Sequence, residues 1–104
     1  MPPKADSTTD KLIRRAIAEK RLVRFIYQDK ERVAEPHDYG QMKGTDRLFC
    51  YQVRGQSTGR LPNWRLVDIS GISGLEVLEE TFPGSRGADY DQHLNWNKIY
   101  ARVA

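Results

Sequence analysis

Arg32, His37, Tyr51, Arg54, Trp64 and Arg65 carry the side chains in this sequence best suited to holding a phosphate or a base. Guanidinium groups grip phosphate oxygens in pairs, and aromatic rings stack on nucleobases. All six lie on or beside segments that read as short strands. Residues 37–66, which contain most of them, hold five Lys/Arg against two Asp/Glu. Each also has an ordinary structural reading: Tyr51 and Trp64 as core rings, the arginines as solvated surface. As a set with few acids nearby, they point to an anionic partner.

Catalytic chemistry is poorly supported. Gly55-Gln56-Ser57-Thr58-Gly59 matches G-x-S-x-G, the nucleophile elbow of α/β hydrolases. That motif needs a strand before it, a helix after it and a large parallel sheet. Here Arg60-Leu61-Pro62-Asn63 and then another strand follow, so a hairpin loop is the better reading. Ser57 is expected not to act as a nucleophile, and Ser57→Ala to leave binding unchanged. Cys50, His37 and His93 lack metal-ligand spacing. Cys50 sits in an apolar segment and reads as a buried small hydrophobe. No carboxylate pair, phosphate-cradling loop or cofactor motif stands out. The chain is expected to be no enzyme, with no catalytic residues, metal or cofactor.

The elements that would position the arginines follow from hydrophobic periodicity. A helix should start near Ser7–Asp10, where several residues can cap and Asp10 suits the dipole. Leu12, Ile13, Ala16 and Ile17 then share one face at helical spacing, leaving Arg14, Arg15 and Lys20 largely off it. The period changes at Leu22, where Leu22-Val23-Arg24-Phe25-Ile26-Tyr27 reads as a strand and Asp29-Lys30 as a turn. Residues 31–35 form a second strand that Pro36 should end or confine to an edge. Residues 38–46 read as a loop. Residues 47–54 are the clearest strand, with apolar residues on both faces, which marks a central or barrel position. A Gly-Ser-Pro loop spans 55–62 and strands follow at 64–69 and 75–78. Residues 83–92 read as a loop or one helical turn, and 99–103 as a last strand. One helix followed by about five short strands predicts a mainly β, α+β fold: a small barrel with an N-terminal amphipathic helix.

Composition sets the outer limits. The 104 residues suit one domain. The expected division is a disordered N-terminus at 1–8, the barrel at 9–80 and a C-terminal extension packing on it at 81–104. The single cysteine excludes an intramolecular disulfide and fits a reducing compartment. Neither an apolar leader nor a run long enough to span a membrane is visible, so a cytoplasmic protein without membrane association is expected. The net charge of +3 is uneven: residues 1–36 and 37–66 are each +3, and residues 67–104 are −3.

The order of these segments resembles the WYL domain family. The resemblance is carried by Leu12-Ile13-Arg14-Arg15-Ala16-Ile17 and Val23-Arg24-Phe25-Ile26-Tyr27. It continues through Arg32-Val33-Ala34-Glu35-Pro36-His37, Leu48-Phe49-Cys50-Tyr51 and Trp64-Arg65-Leu66-Val67-Asp68-Ile69-Ser70-Gly71-Ile72. It covers about residues 11–80. The literal Trp-Tyr-Leu triplet does not occur in these residues, and a stand-alone, compact version without the helix-turn-helix domain that usually precedes a WYL domain is expected. The resemblance implies an Sm-like, SH3-type barrel and a bacterial regulatory role in sensing nucleotides or single-stranded nucleic acid. It carries over Arg32, Tyr51, Arg65 and His37. The competing expectation is an interaction or dimerisation domain that meets another copy or a regulatory protein and takes no small ligand.

Overall fold

The computed structural model describes residues 7–57, 59–86 and 95–104. Helix α1 (Ser7–Glu19) leads into β1 (Arg21–Tyr27), β2 (Lys30–Met42), β3 (Thr45–Gly55) and β4 (Asn63–Asp68). A 3-10 turn at Ile69–Gly71 precedes β5 (Ser73–Thr81), and β6 (Lys98–Arg102) follows. The chain is mainly β with one N-terminal helix. Its antiparallel strands run in the order β4-β3-β2-β1-β5, and β6 joins the far part of β2. The return of β5 to β1 bends this sheet into a small barrel-like fold.

The helix forms where its apolar spacing predicts. Ile13, Ala16 and Ile17 are buried, while Arg14 and Arg15 are exposed. Asp10 in the first turn accepts a hydrogen bond from Arg14 at 2.9 Å and another from the Tyr39 hydroxyl at 2.7 Å. The second bond ties the helix to β2.

Strand register explains what the barrel encloses. Directly paired residues share a face, as do residues two apart. Val23 pairs with Ala34, Leu48 with Val67 and Pro36 with Cys50. These residues, with Phe25, form one face, and all of them except Pro36 belong to the buried core cluster. Each fully buried side chain of the size of Phe25 or Leu48 contributes about 1.5–3 kcal/mol. The same face continues into polar residues: Arg32 pairs with Phe25, Gln52 with Ala34 and Arg65 with Cys50. The barrel interior is therefore apolar at one end and cationic at the other.

Three sequence expectations need correction. Pro36 does not end β2, which runs on to Met42. Pairing with β1 stops at Ala34 and pairing with β6 starts at Asp38, so Pro36 falls in the gap where no ladder donor is required. His37 sits beside it as the extra residue of a bulge between Pro36 and Asp38. The segment 38–46 is thus mostly strand, turning only at Lys43–Gly44. Lastly, β5 is longer than residues 75–78 because its pairing with β1 reaches Thr81.

Of the expected disordered terminus, residues 1–6 lie outside the described residues, and α1 already begins at Ser7. Residues 87–92 of the expected loop, and His93, also lie outside them. The described part of the expected extension supplies Phe82 to the core and β6 to the sheet.

Candidate anion-binding site

The polar end of the barrel interior is organised around Gln52, which is fully buried. Its Oε1 accepts from Arg32 Nη1 at 3.0 Å and from Arg65 Nε at 3.3 Å. Its Nε2 donates to the carbonyls of Arg54 and Gln56, each at 3.0 Å. All four hydrogen-bonding positions of the amide are used, which fixes its orientation. Arg32 also donates from Nε to the Tyr27 carbonyl at 3.4 Å, and Arg65 donates from Nη2 to the Ser57 hydroxyl.

The loop after β3 is pinned so that it can make these contacts. Gln56 N–H donates to the Glu31 carbonyl at 2.7 Å, and Glu31 N–H donates to Gln56 Oε1 at 3.0 Å. Gly55 permits this close approach. Its φ is +96°, and a Cβ there would lie 2.3 Å from the Glu31 oxygen. Ser57 Oγ also accepts from the Gly59 N–H at 3.1 Å.

A cavity of about 300 Å³ opens beside the two arginines. The β1–β2 hairpin supplies Tyr27, Gln28, Lys30 and Arg32, and β4 supplies the stretch from Trp64 to Val67. Gln28 and Asp29 both have positive φ, the requirement of a two-residue type I′ hairpin, and the resulting register sets Lys30 opposite Tyr27. Among the described residues, the cavity lining contains Lys30, Arg32 and Arg65 and no carboxylate.

That imbalance stands out against the rest of the barrel. Among the described residues, Arg14, Arg15, Arg21, Arg24, Arg47, Arg54, Arg86 and Arg102 each pair with a carboxylate. Arg32 and Arg65 instead share one neutral oxygen. Burial, followed by the charge of Arg65, lowers the Arg32 pKa from its ordinary value. Arg32 is only 6% exposed, so its charge is retained at a cost in desolvation and repulsion. An anion in the cavity would remove both costs.

The structure thus brings together Arg32 and Arg65 from the sequence-derived set. Trp64 borders the cavity, but its ring is committed elsewhere. It stacks on Phe49 (4.8 Å, 4°), lies against Tyr51 at 4.9 Å, and meets His37 edge-on at 4.8 Å. His37 is not at the cavity. It is fully buried, stacks on Phe82 at 5.6 Å and contacts the Glu35 carbonyl through Nδ1 at 2.9 Å. Tyr51 is also away from the cavity, covered by the Arg86 guanidinium 4.2 Å from its ring centre. Arg86 in turn makes two bonds to Glu35, at 2.7 and 2.8 Å. Arg54 turns to Glu80, with two bonds of 2.8 and 2.6 Å.

The structure adds Gln52, Tyr27 and Lys30 to the candidate site, and it sets the Ser57 hydroxyl against Arg65 without placing it in the cavity lining. Gln52 was within reach, because it lies two residues beyond Cys50 on the same strand face. The roles of Lys30 and Ser57 depend on a hairpin and a loop whose geometry alternation does not predict. Cys50 lies on the floor of this polar end, fully buried, with its thiol pKa pushed up to about 12 by burial.

No helix among the described residues is long and apolar enough to cross a membrane. In comparison with known proteins, the chain matches no family model, no curated protein and no solved structure.

Proposed function

We propose that the chain is a binding module for a phosphate-bearing ligand, a nucleotide or single-stranded nucleic acid, held by Arg32 and Arg65 with Lys30 nearby. The carrying observation is the pair of guanidinium groups that share one neutral acceptor beside an open cavity with no carboxylate among its described lining residues. Guanidinium groups match phosphate oxygens in geometry as well as charge. The resemblance to WYL domains supports the same reading and adds a regulatory, sensing role. The unequal charge along the chain would assist capture of an anion.

The test is titration with a nucleoside monophosphate and with a fluorescent single strand, at low and at physiological salt. Each charge-assisted bond contributes about 1.5–3 kcal/mol, so Arg65→Gln should weaken binding by roughly tenfold or more. Salt should weaken binding to the strand as counterions compete. Folded protein that binds none of these ligands at low salt would overturn the reading.

A second reading has its own observation. Among the described residues, β4 and β5 end the sheet without a further strand alongside, and Leu66 on β4 is exposed. Such an edge is a template for pairing with another chain. Concentration-dependent association in light scattering, without phosphate binding, would favour this interaction role.

A further inference from the structure

We infer that the cavity selects a terminal phosphate monoester over an internal phosphodiester; this rests on the phosphate-binding reading and narrows its ligand class. Depth is the first argument. Arg32 is 6% exposed, and its partner Gln52 and the neighbouring Cys50 are fully buried. An acceptor must therefore enter the barrel mouth to reach the guanidinium. A phosphodiester carries a substituent on both sides, which holds the strand across the mouth. A monoester is attached through one oxygen and can enter end-on.

Charge is the second argument. Arg32, Arg65 and Lys30 line the cavity, with no carboxylate among its described lining residues. A phosphodiester brings one negative charge, whereas a monoester approaches two above its second ionisation near pH 6. Volume is the third. About 300 Å³ lies at the small end of ligand pockets and suits a phosphate with its sugar, not a length of strand. Among the described lining residues, both aromatic rings already have neighbours. The Arg32 guanidinium lies over the Tyr27 ring, 5.7 Å from its centre, and the Trp64 ring is stacked on Phe49. Recognition therefore centres on the phosphate.

The source of the monoester is either a free nucleotide or the end of a strand, and the test separates them. Fluorescence anisotropy compares one labelled octanucleotide with a 5′-phosphate against the same strand with a 5′-hydroxyl. A nucleoside 5′-monophosphate and inorganic phosphate serve as competitors. The phosphorylated strand should bind at least about tenfold tighter at pH 7.5, a difference of about 1.4 kcal/mol. Inorganic phosphate should erase the difference, as should Arg65→Gln. Arg32→Gln serves as a second variant, with circular dichroism confirming that both stay folded. The advantage should also shrink below pH 6. A monophosphate that competes as well as the strand end identifies a small-molecule ligand, and a weaker one identifies a strand end; both support the inference. Equal, Arg65-dependent binding of the two strands would overturn it and leave the phosphate-binding reading standing. Binding of no strand, nucleotide or phosphate would overturn both.

Discussion

Replacing Arg65 by glutamine separates an arginine kept for a ligand from one kept for the fold. The substitution removes the bonds to Gln52 Oε1 and Ser57. With water able to replace part of each, this costs about 1 kcal/mol per bond. It also removes a repulsion. Two donors that meet on one oxygen lie within about 6 Å of each other, and at an effective dielectric of 20 two unit charges at that separation repel by about 3 kcal/mol. Arg65 is partly exposed, and solvent screening reduces the figure to about 1–2 kcal/mol. Loss and gain nearly cancel, so the variant should unfold within about 1 kcal/mol of the native protein in chloride. Ligand breaks the tie. At a hundred times its dissociation constant, a bound anion stabilises the native protein by about 2.7 kcal/mol, and the variant should gain little. The assay is urea unfolding in chloride and in a nucleoside monophosphate at matched ionic strength. Arg86→Gln is the structural control. It strips a paired cation from Glu35, which is 7% exposed, and should cost about 1–3 kcal/mol in either medium. An Arg65→Gln variant that loses more than about 3 kcal/mol in chloride, with no ligand effect on the native protein, would refute the reasoning.

Three other outcomes follow from the same geometry. Gly55→Ala should destabilise by about 2 kcal/mol or more, because its φ of +96° and the Glu31 carbonyl 2.3 Å away leave no place for a methyl group; an unchanged melting temperature would contradict this. Cys50 should resist native thiol labelling, with its thiol pushed up to about 12, until the chain unfolds; rapid stoichiometric modification would count against its burial. Burial lowers the His37 pKa below its ordinary 6.5, so the unfolded chain takes up the proton first. The stability this gives is complete above about pH 6.5 and is lost as pH falls toward the folded pKa; His37→Gln should flatten that slope, and parallel pH profiles for the two proteins would rule the account out.

The fold was legible because its periodicity is strong. The change of spacing near Leu22 separates α1 from the strands, and the two-sided apolar pattern of 47–54 marks the central β3. The misreading at Pro36 has a physical source. Proline is excluded only where a ladder donor is needed, and sequence does not reveal the gap along β2 between its pairing with β1, which stops at Ala34, and with β6, which starts at Asp38. For the candidate site, residue type singled out Arg32 and Arg65, which line the cavity, but it could not separate them from Arg54, whose acid partner Glu80 lies on another strand. The distinction from Arg54 lies in the carboxylate that the folded sheet brings to it from β5. His37 and Tyr51 lie away from the cavity for a related reason: a ring suited to stacking a base is equally suited to the packing that Phe82 and Arg86 give them.

The central claim, that Arg32 and Arg65 together hold a phosphate group, is tested most directly by nuclear magnetic resonance of the arginine Nε–Hε groups during titration with a nucleoside monophosphate. Resonances of Arg32 and Arg65 should shift together and saturate, while those of the carboxylate-paired Arg54 and Arg102 stay in place. Unmoved Arg32 and Arg65 signals, or shifts confined to other arginines, would contradict the account.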